Sequence, residues 1–162
     1  MEKYKHNKEY KKITKHIFKD KHFMTLKDIP HHGIKRLTHV VRVSYFSYII
    51  AKKLKLDYKT AATAGLLHDF YFEVDPSKFI ENMKFQYQHT IIAADNAKKY
   101  FNASEKEINI IKTHMFPITL PSKYLEGWIV SLVDKGVATY EYTLKFKNII
   151  KMWFSSLRKS VK

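Results

Sequence analysis

Apolar side chains recur along this chain mainly at the three- and four-residue intervals of amphipathic helices, and no segment reads as a convincing strand. Residues 5–19 predict a polar helix with a thin apolar stripe of Tyr10, Ile13 and Ile17. Pro30-His31-His32-Gly33 interrupts the pattern, and Leu37 to Leu54 then predicts a strong helix whose Val43, Phe46, Ile50 and Leu54 have the spacing of a buried stripe. Asp57 is placed to cap a helix through Ala61, Ala64 and Leu67. Asp75-Pro76 breaks the chain again, ahead of a helix over about His89 to Tyr100. Ser104 with Glu107 forms a capping-box pattern, opening a helix through Ile108 and Ile111 to His114. Pro117 and Pro121 bracket a loop, and two further helices follow, about Tyr124 to Tyr140 and a basic one about Leu144 to Leu157. The expectation is an all-α, single-domain bundle of six or seven helices, without repeats, low-complexity tracts or an interior linker.

Composition agrees. The 162 residues suit one core, and 45% hydrophobic content favours a packed globule. Four glycines and four prolines are too few for the many turns of a sandwich or barrel. With no cysteine, disulfides and thiolate metal sites are excluded. The N-terminus lacks the apolar core of a signal peptide, and the most apolar stretch, Tyr45 to Ala51, is far short of the roughly 20 residues that span a bilayer. A soluble, cytoplasmic protein is expected.

The net charge of +15 is concentrated at the ends. Residues 1–38 hold eleven Lys/Arg against four acids, and residues 142–162 hold six and no acid, whereas 39–141 is nearly balanced. Such ends could contact nucleic acid or an anionic membrane weakly. Only Arg36, Arg42 and Arg158 are arginines, however, and bidentate phosphate or guanine recognition favours arginine, so a solubilising lysine surface is the simpler reading. The stripe of Phe146, Ile149, Ile150, Trp153 and Leu157 opposite Lys145, Lys147, Lys151 and Arg158 makes the last helix basic and amphipathic. It could pack on its own domain, on a second subunit in a homo-oligomer, or on a membrane surface.

The candidate chemistry lies in histidines and aspartates on apolar helix faces. His68-Asp69 closes the segment Ala61-Ala62-Thr63-Ala64-Gly65-Leu66-Leu67, where an unpartnered charge is very costly. His39 precedes Val43 by one turn, His114 follows Ile110 and Ile111, Asp134 follows Ile129-Val130-Ser131-Leu132-Val133, and His89 leads into Ile92, Ala93 and Ala97. Any one histidine would pass for a hydrogen-bonded core residue, but five helices would each need a separate polar partner. Imidazole and carboxylate without thiolate suit iron, manganese, zinc or nickel. His31 and His32 beside Gly33 read as loop residues, and His6, His16 and His22, among lysines, as solvated.

His39, His68-Asp69 and Asp134, within Arg36-Leu37-Thr38-His39-Val40-Val41-Arg42-Val43, Gly65-Leu66-Leu67-His68-Asp69 and Ser131-Leu132-Val133-Asp134-Lys135, resemble the H…HD…D signature of the HD superfamily of metal-dependent phosphohydrolases. His89 and His114 extend the resemblance to the H…HD…H…H…D pattern of members that bind two metals. The likeness covers about residues 31–141, giving an HD domain flanked by a basic N-terminal helix or arm (1–30) and a basic amphipathic C-terminal helix (142–162).

The resemblance implies that His39, His68, Asp69 and Asp134 hold one divalent metal and that Asp69 bridges to a second, held also by His89 and His114. Iron or manganese fits best, with zinc, nickel, cobalt or magnesium as alternatives. Paired cations acidify a water and offset the charge of a phosphoryl group. Phosphate contacts would come from Arg36, then Lys135, then Arg42. The implied activity is hydrolysis of a phosphoester or phosphoanhydride in a phosphorylated small molecule or nucleotide. A di-iron oxygenase on the same six ligands and a non-catalytic nucleic-acid- or membrane-binding module are the alternatives. Two departures bear on substrate: the lysine many members carry three residues after the HD aspartate is Phe72, followed by Glu73, and the Gly-Tyr-Pro signature of the cyclic-di-GMP branch is missing. Phe70-Tyr71-Phe72 could stack a base or fill the core.

Overall fold

The computed structural model describes the backbone of residues 3–31, 33–72 and 79–160, with side chains over 4–31, 33–72 and 84–149. His32, Glu73, the Asp75-Pro76 break and the side chains of Ile150, Lys151, Trp153, Leu157 and Arg158 lie outside the described residues. In chain order the elements are α1 (Lys3–His6), α2 (Lys8–Phe18), α3 (Lys21–Met24), a 3-10 turn (Thr25–Lys27), β1 (Pro30–His31), β2 (Ile34–Lys35), α4 (Arg36–Lys53), α5 (Tyr58–Leu67), α6 (Phe79–Phe101), α7 (Glu105–Thr113) and α8 (Leu125–Ser160). The fold is all-α, as expected. Among the described residues no helix is long and apolar enough to cross a membrane.

Short polar side chains set several boundaries by accepting from the otherwise unpaired first-turn N–H groups. Asn7 accepts from Tyr10 N at 2.9 Å, dividing the helix expected over 5–19 into α1 and α2. Asp57 accepts from Thr60 N, and Ser104 and Glu107 form the expected capping box. Three other expectations are corrected. Between α3 and α4 the chain forms a small antiparallel hairpin, pairing Pro30 with Lys35 and His31 with Ile34, where no strand was expected. Gly33 makes its turn possible at φ +86°, a left-handed conformation open to glycine. The helix carrying His89 begins ten residues earlier, at Phe79. The two helices expected after residue 124 are one, Leu125–Ser160, because Glu141-Tyr142-Thr143 contains no breaker.

The buried stripe of α4 also differs from the expected one. Val43 is buried, but Phe46 is 50% and Leu54 59% exposed, while Ser44, Ser47 and Ala51 are enclosed. Small residues win here because α4 and α5 touch backbone to backbone: a Cβ on Gly65 would lie 3.0 Å from Ser44 Cα. The Ser44 hydroxyl donates to Ala62 O at 2.6 Å and accepts from Tyr10 Oη at 2.7 Å, joining α2, α4 and α5. The core spans α4 to α8, with Val40, Leu66, Phe70, Ala93, Ile110 and Val130 inside it. Ile17, Phe23 and Leu26 enter the same cluster, so the basic N-terminal segment is a layer of the body. At the other end Phe146 and Ile149 on α8 are more than half exposed.

Candidate metal centre

Six side chains singled out in the sequence converge at the buried ends and faces of five helices. His39 is carried by α4, His89 by α6 and Asp134 by α8, while His68-Asp69 and His114 stand just past the last turns of α5 and α7. All are at most 8% exposed.

The hydrogen bonds fix how each imidazole faces. His68 Nδ1 lies 2.9 Å from Gly65 O, His89 Nδ1 3.2 Å from Phe85 O, and His114 Nδ1 2.8 Å from Ile111 O. A carbonyl only accepts, so in each ring Nδ1 bears a proton, and the neutral form of each ring carries its lone pair on Nε2. His39 Nδ1 is held at 2.8 Å by the Glu141 carboxylate, which also accepts from Arg42 Nη1 at 2.6 Å. The four Nε2 atoms face inward. His39 Nε2 lies 2.9 Å and His68 Nε2 3.5 Å from Asp134 Oδ1. Asp69 divides its oxygens: Oδ2 lies 3.7 Å from His68 Nε2, while Oδ1 lies 3.4 Å from His89 Nε2 and 3.8 Å from His114 Nε2.

These separations resemble the edges of a coordination shell, since neighbouring ligands on about 2.1 Å bonds stand roughly 3 to 3.5 Å apart. The donor set has a further property that fits a cation. His89 Nε2 and His114 Nε2 face one another at 3.3 Å, and burial pushes both pKa values down, His114 to about 3. Two neutral rings with Nδ1 protonated would then aim lone pairs at each other beside a carboxylate oxygen. His68 Nε2 is buried without a hydrogen-bond partner among the described residues. At His39 burial is outweighed by Asp134 and Glu141, which raise its pKa to about 10, and both aspartates are held well below the usual carboxylate range by the surrounding imidazoles despite burial. His39, His68 and Asp134 form one donor group, and His68, Asp69 and His114 another.

The three basic residues expected to touch phosphate have different placements. Lys135 lines the cavity, its Nζ donating to Ser131 Oγ at 2.8 Å and His114 O at 3.1 Å, with burial lowering its pKa. Arg36 does not line it: the side chain is 2% exposed, donates to Tyr71 O at 2.6 Å and stacks 3.7 Å from the Tyr71 ring, behind that ring. Arg42 is engaged with Glu141, which links it to His39 rather than to the cavity. Of the aromatic trio, Phe70 fills the core, Tyr71 forms a cavity wall and Phe72 is 42% exposed.

Sequence reasoning missed Glu141 and His31. Glu141 lies seven residues after Asp134, two turns along the same face, a signal that was readable. His31, expected as a loop residue, is corrected: the hairpin brings its Nε2 to 3.4 Å from Asp69 Oδ2. No periodicity marks a residue outside the helices, and only the Gly33 turn hinted at it. His6, His16 and His22 are exposed, as expected.

Among known protein families, residues 36–138 match the HD domain. The chain is 35% identical over 83 residues to "Ribonuclease Y" of Clostridium perfringens (strain SM101 / Type A), a match covering 51% of this chain and 15% of that protein. It is 37% identical over 83 residues to "Ribonuclease Y" of Mycoplasma capricolum subsp. capricolum, with the same coverage of 51% and 15%. The chain thus spans a small part of the length of these relatives. No solved structure matches.

Proposed function

The chain belongs to the HD domain family, a family of metal-dependent phosphohydrolases, and from that premise we propose that it hydrolyses a phosphoester or phosphoanhydride bond, in a nucleotide or a related phosphodiester, using two divalent ions of iron or manganese. The observation that carries the reading is the convergence of four imidazoles, each with Nδ1 tied to an acceptor and Nε2 turned inward, on two buried carboxylates. The name of the relatives, whose substrate is RNA, supports a phosphodiester.

In this reading His39, His68 and Asp134 would hold one ion together with Asp69, and His89 and His114 would hold the second, also with Asp69. Bound there, the ions would acidify a water for attack at neutral pH and offset phosphoryl charge. Glu141 keeps the Nδ1 proton on His39 and so keeps Nε2 available. Lys135, which lines the cavity, would meet a phosphoryl oxygen. Arg36 acts through Tyr71, holding the cavity wall. The cavity encloses about 210 Å³, below the roughly 300 Å³ at which pockets for whole small molecules begin. The reacting group enters it and the remainder of the substrate lies at the mouth.

Elemental analysis of protein purified without chelator, paired with a phosphatase, nucleotide and RNA screen across divalent metals, tests the proposal. Asp69→Ala and His68→Ala are each expected to abolish metal retention and turnover together. Full metal occupancy with no phosphoester or phosphoanhydride cleaved would overturn it, and oxygen-dependent turnover by the iron form would replace it with the oxygenase reading.

A further inference from the structure

The hairpin brings a fifth imidazole to the centre. His31 Nε2 lies 3.4 Å from Asp69 Oδ2, the oxygen turned toward His68 and away from the His89–His114 pair. Its ring centroid is 4.5 Å from that of His39. One ligand atom from each of His31, His39 and Asp69 fits within 4.8 Å, close to the roughly 4.2 Å between opposite ligands on one ion. The side chain is 9% exposed and lines the same cavity as Asp69, His89, His114 and Asp134.

Its carrier is pinned. His31 pairs with Ile34, and Arg36 N donates to Ile29 O at 2.9 Å, fastening the hairpin to the start of α4. At the turn, Gly33 lies so near α8 that an added Cβ would come within 3.0 Å of the Lys145 side chain. The strand pairing and the Arg36–Ile29 bond hold His31 in place, as the helices hold the other imidazoles.

We propose that His31 Nε2 is a further ligand of the ion held by His39, His68, Asp134 and Asp69 Oδ2, an inference that rests on the two-ion reading above. The two ions then differ. The first would have five protein donors, three of them imidazoles, a set that disfavours magnesium. The second would have three, His89, His114 and Asp69.

Cobalt(II) titration of the metal-free full chain separates these claims, with visible absorption and bound metal per chain as readouts. His31→Ala is expected to weaken one ion by about tenfold or more and to alter its absorption bands, and millimolar imidazole should restore both. His31→Gln, which keeps bulk and a polar end but not the imidazole, should behave like the alanine variant, and matching melting curves of the metal-free proteins show that the fold is kept. His89→Ala should weaken the other ion with a different spectral change. Affinities and bands unchanged in both His31 variants overturn the inference while leaving the two-ion reading intact. A parent chain that takes up no cobalt, manganese or zinc sinks both.

Discussion

Gly65→Ala tests the contact that brings the two halves of the centre together. The new Cβ would lie 3.0 Å from Ser44 Cα, 3.3 Å from Ser44 N and 3.6 Å from Val43 C, all of them backbone atoms of α4. Carbon atoms at rest stand about 3.5–4.0 Å apart, so α4 and α5 must separate by several tenths of an ångström, and no flexible side chain can absorb the change. Overpacking of this kind costs about 1–3 kcal/mol, opposed by about 1 kcal/mol gained when a helical glycine becomes alanine. The net expectation is a loss of up to about 2 kcal/mol. Gly136→Ala isolates the propensity part: it is exposed on α8 with nothing within 4 Å of an added Cβ. That variant should gain up to about 1 kcal/mol.

Urea unfolding of the metal-free proteins measures both, with unchanged m-values as the check that only stability has moved. Because α4 carries His39 and the end of α5 carries His68 and Asp69, a parted seam should also weaken metal binding in Gly65→Ala and leave Gly136→Ala as tight as the parent. A Gly65→Ala protein stabilised as much as Gly136→Ala would refute the claim that close backbone approach, rather than chance, put serine and glycine on this seam.

Glu141→Gln removes the charge that holds His39 Nδ1 and should weaken metal binding about 10–100-fold with the fold retained; isothermal titration with manganese reads it, and unchanged affinity would remove Glu141 from the centre. Lys106→Met tests pH dependence. Burial alone would raise Asp57 and Glu126, but backbone N–H groups and Lys106 outweigh it and hold both below their ordinary values. Such carboxylates contribute stability that is full above their ordinary pKa near 4 and is lost as pH falls through the lowered one. The variant should therefore be less stable than the parent by up to about 1 kcal/mol at pH 7, and the gap should close as acid protonates the two carboxylates, below their ordinary range; a gap that stays the same from pH 7 into acid refutes the assignment. Tyr10→Phe deletes the hydroxyl that donates to Ser44 and should cost about 1 kcal/mol in urea unfolding, while a neutral result would mean that α2 is not anchored there.

The helices and the six ligand-type residues were legible because both announce themselves locally. Asp57 and Ser104 cap where their side chains allow, and a histidine or aspartate at the end of an apolar run conflicts with its neighbours unless a partner waits across the fold. What was not legible depends on distances between elements. The α4 stripe looked as if it should bury Phe46 and Leu54, but the approach to Gly65 admits only small residues and turns those two outward. Arg36 sits one turn from His39 on the sequence, yet Tyr71 stands between its guanidinium and the cavity. His31 has no helical register to betray it, and only the Gly33 hairpin, closed against Lys145, carries it to Asp69.

The hydrogen bonds behind the imidazoles explain why only one of the expected ligands recruited a carboxylate. A helix leaves its last four carbonyls without intrahelical partners. His68 and His114 stand one residue past the ends of α5 and α7, and each satisfies a carbonyl three residues back, Gly65 O and Ile111 O. The bond that finishes the helix also puts the proton on Nδ1 and turns Nε2 inward, so tautomer and orientation come from the backbone itself. His89 lies inside α6, where Phe85 O already serves the helix, and its bond is correspondingly the longest of the three at 3.2 Å. His39 lies inside α4 and has its acceptor on another element, Glu141 of α8. A fully buried Glu141 carboxylate needs a cation of its own, and Arg42, one turn after His39, provides it. The pairing that takes Arg42 away from the substrate is thus a consequence of placing a ligand in the middle of a helix.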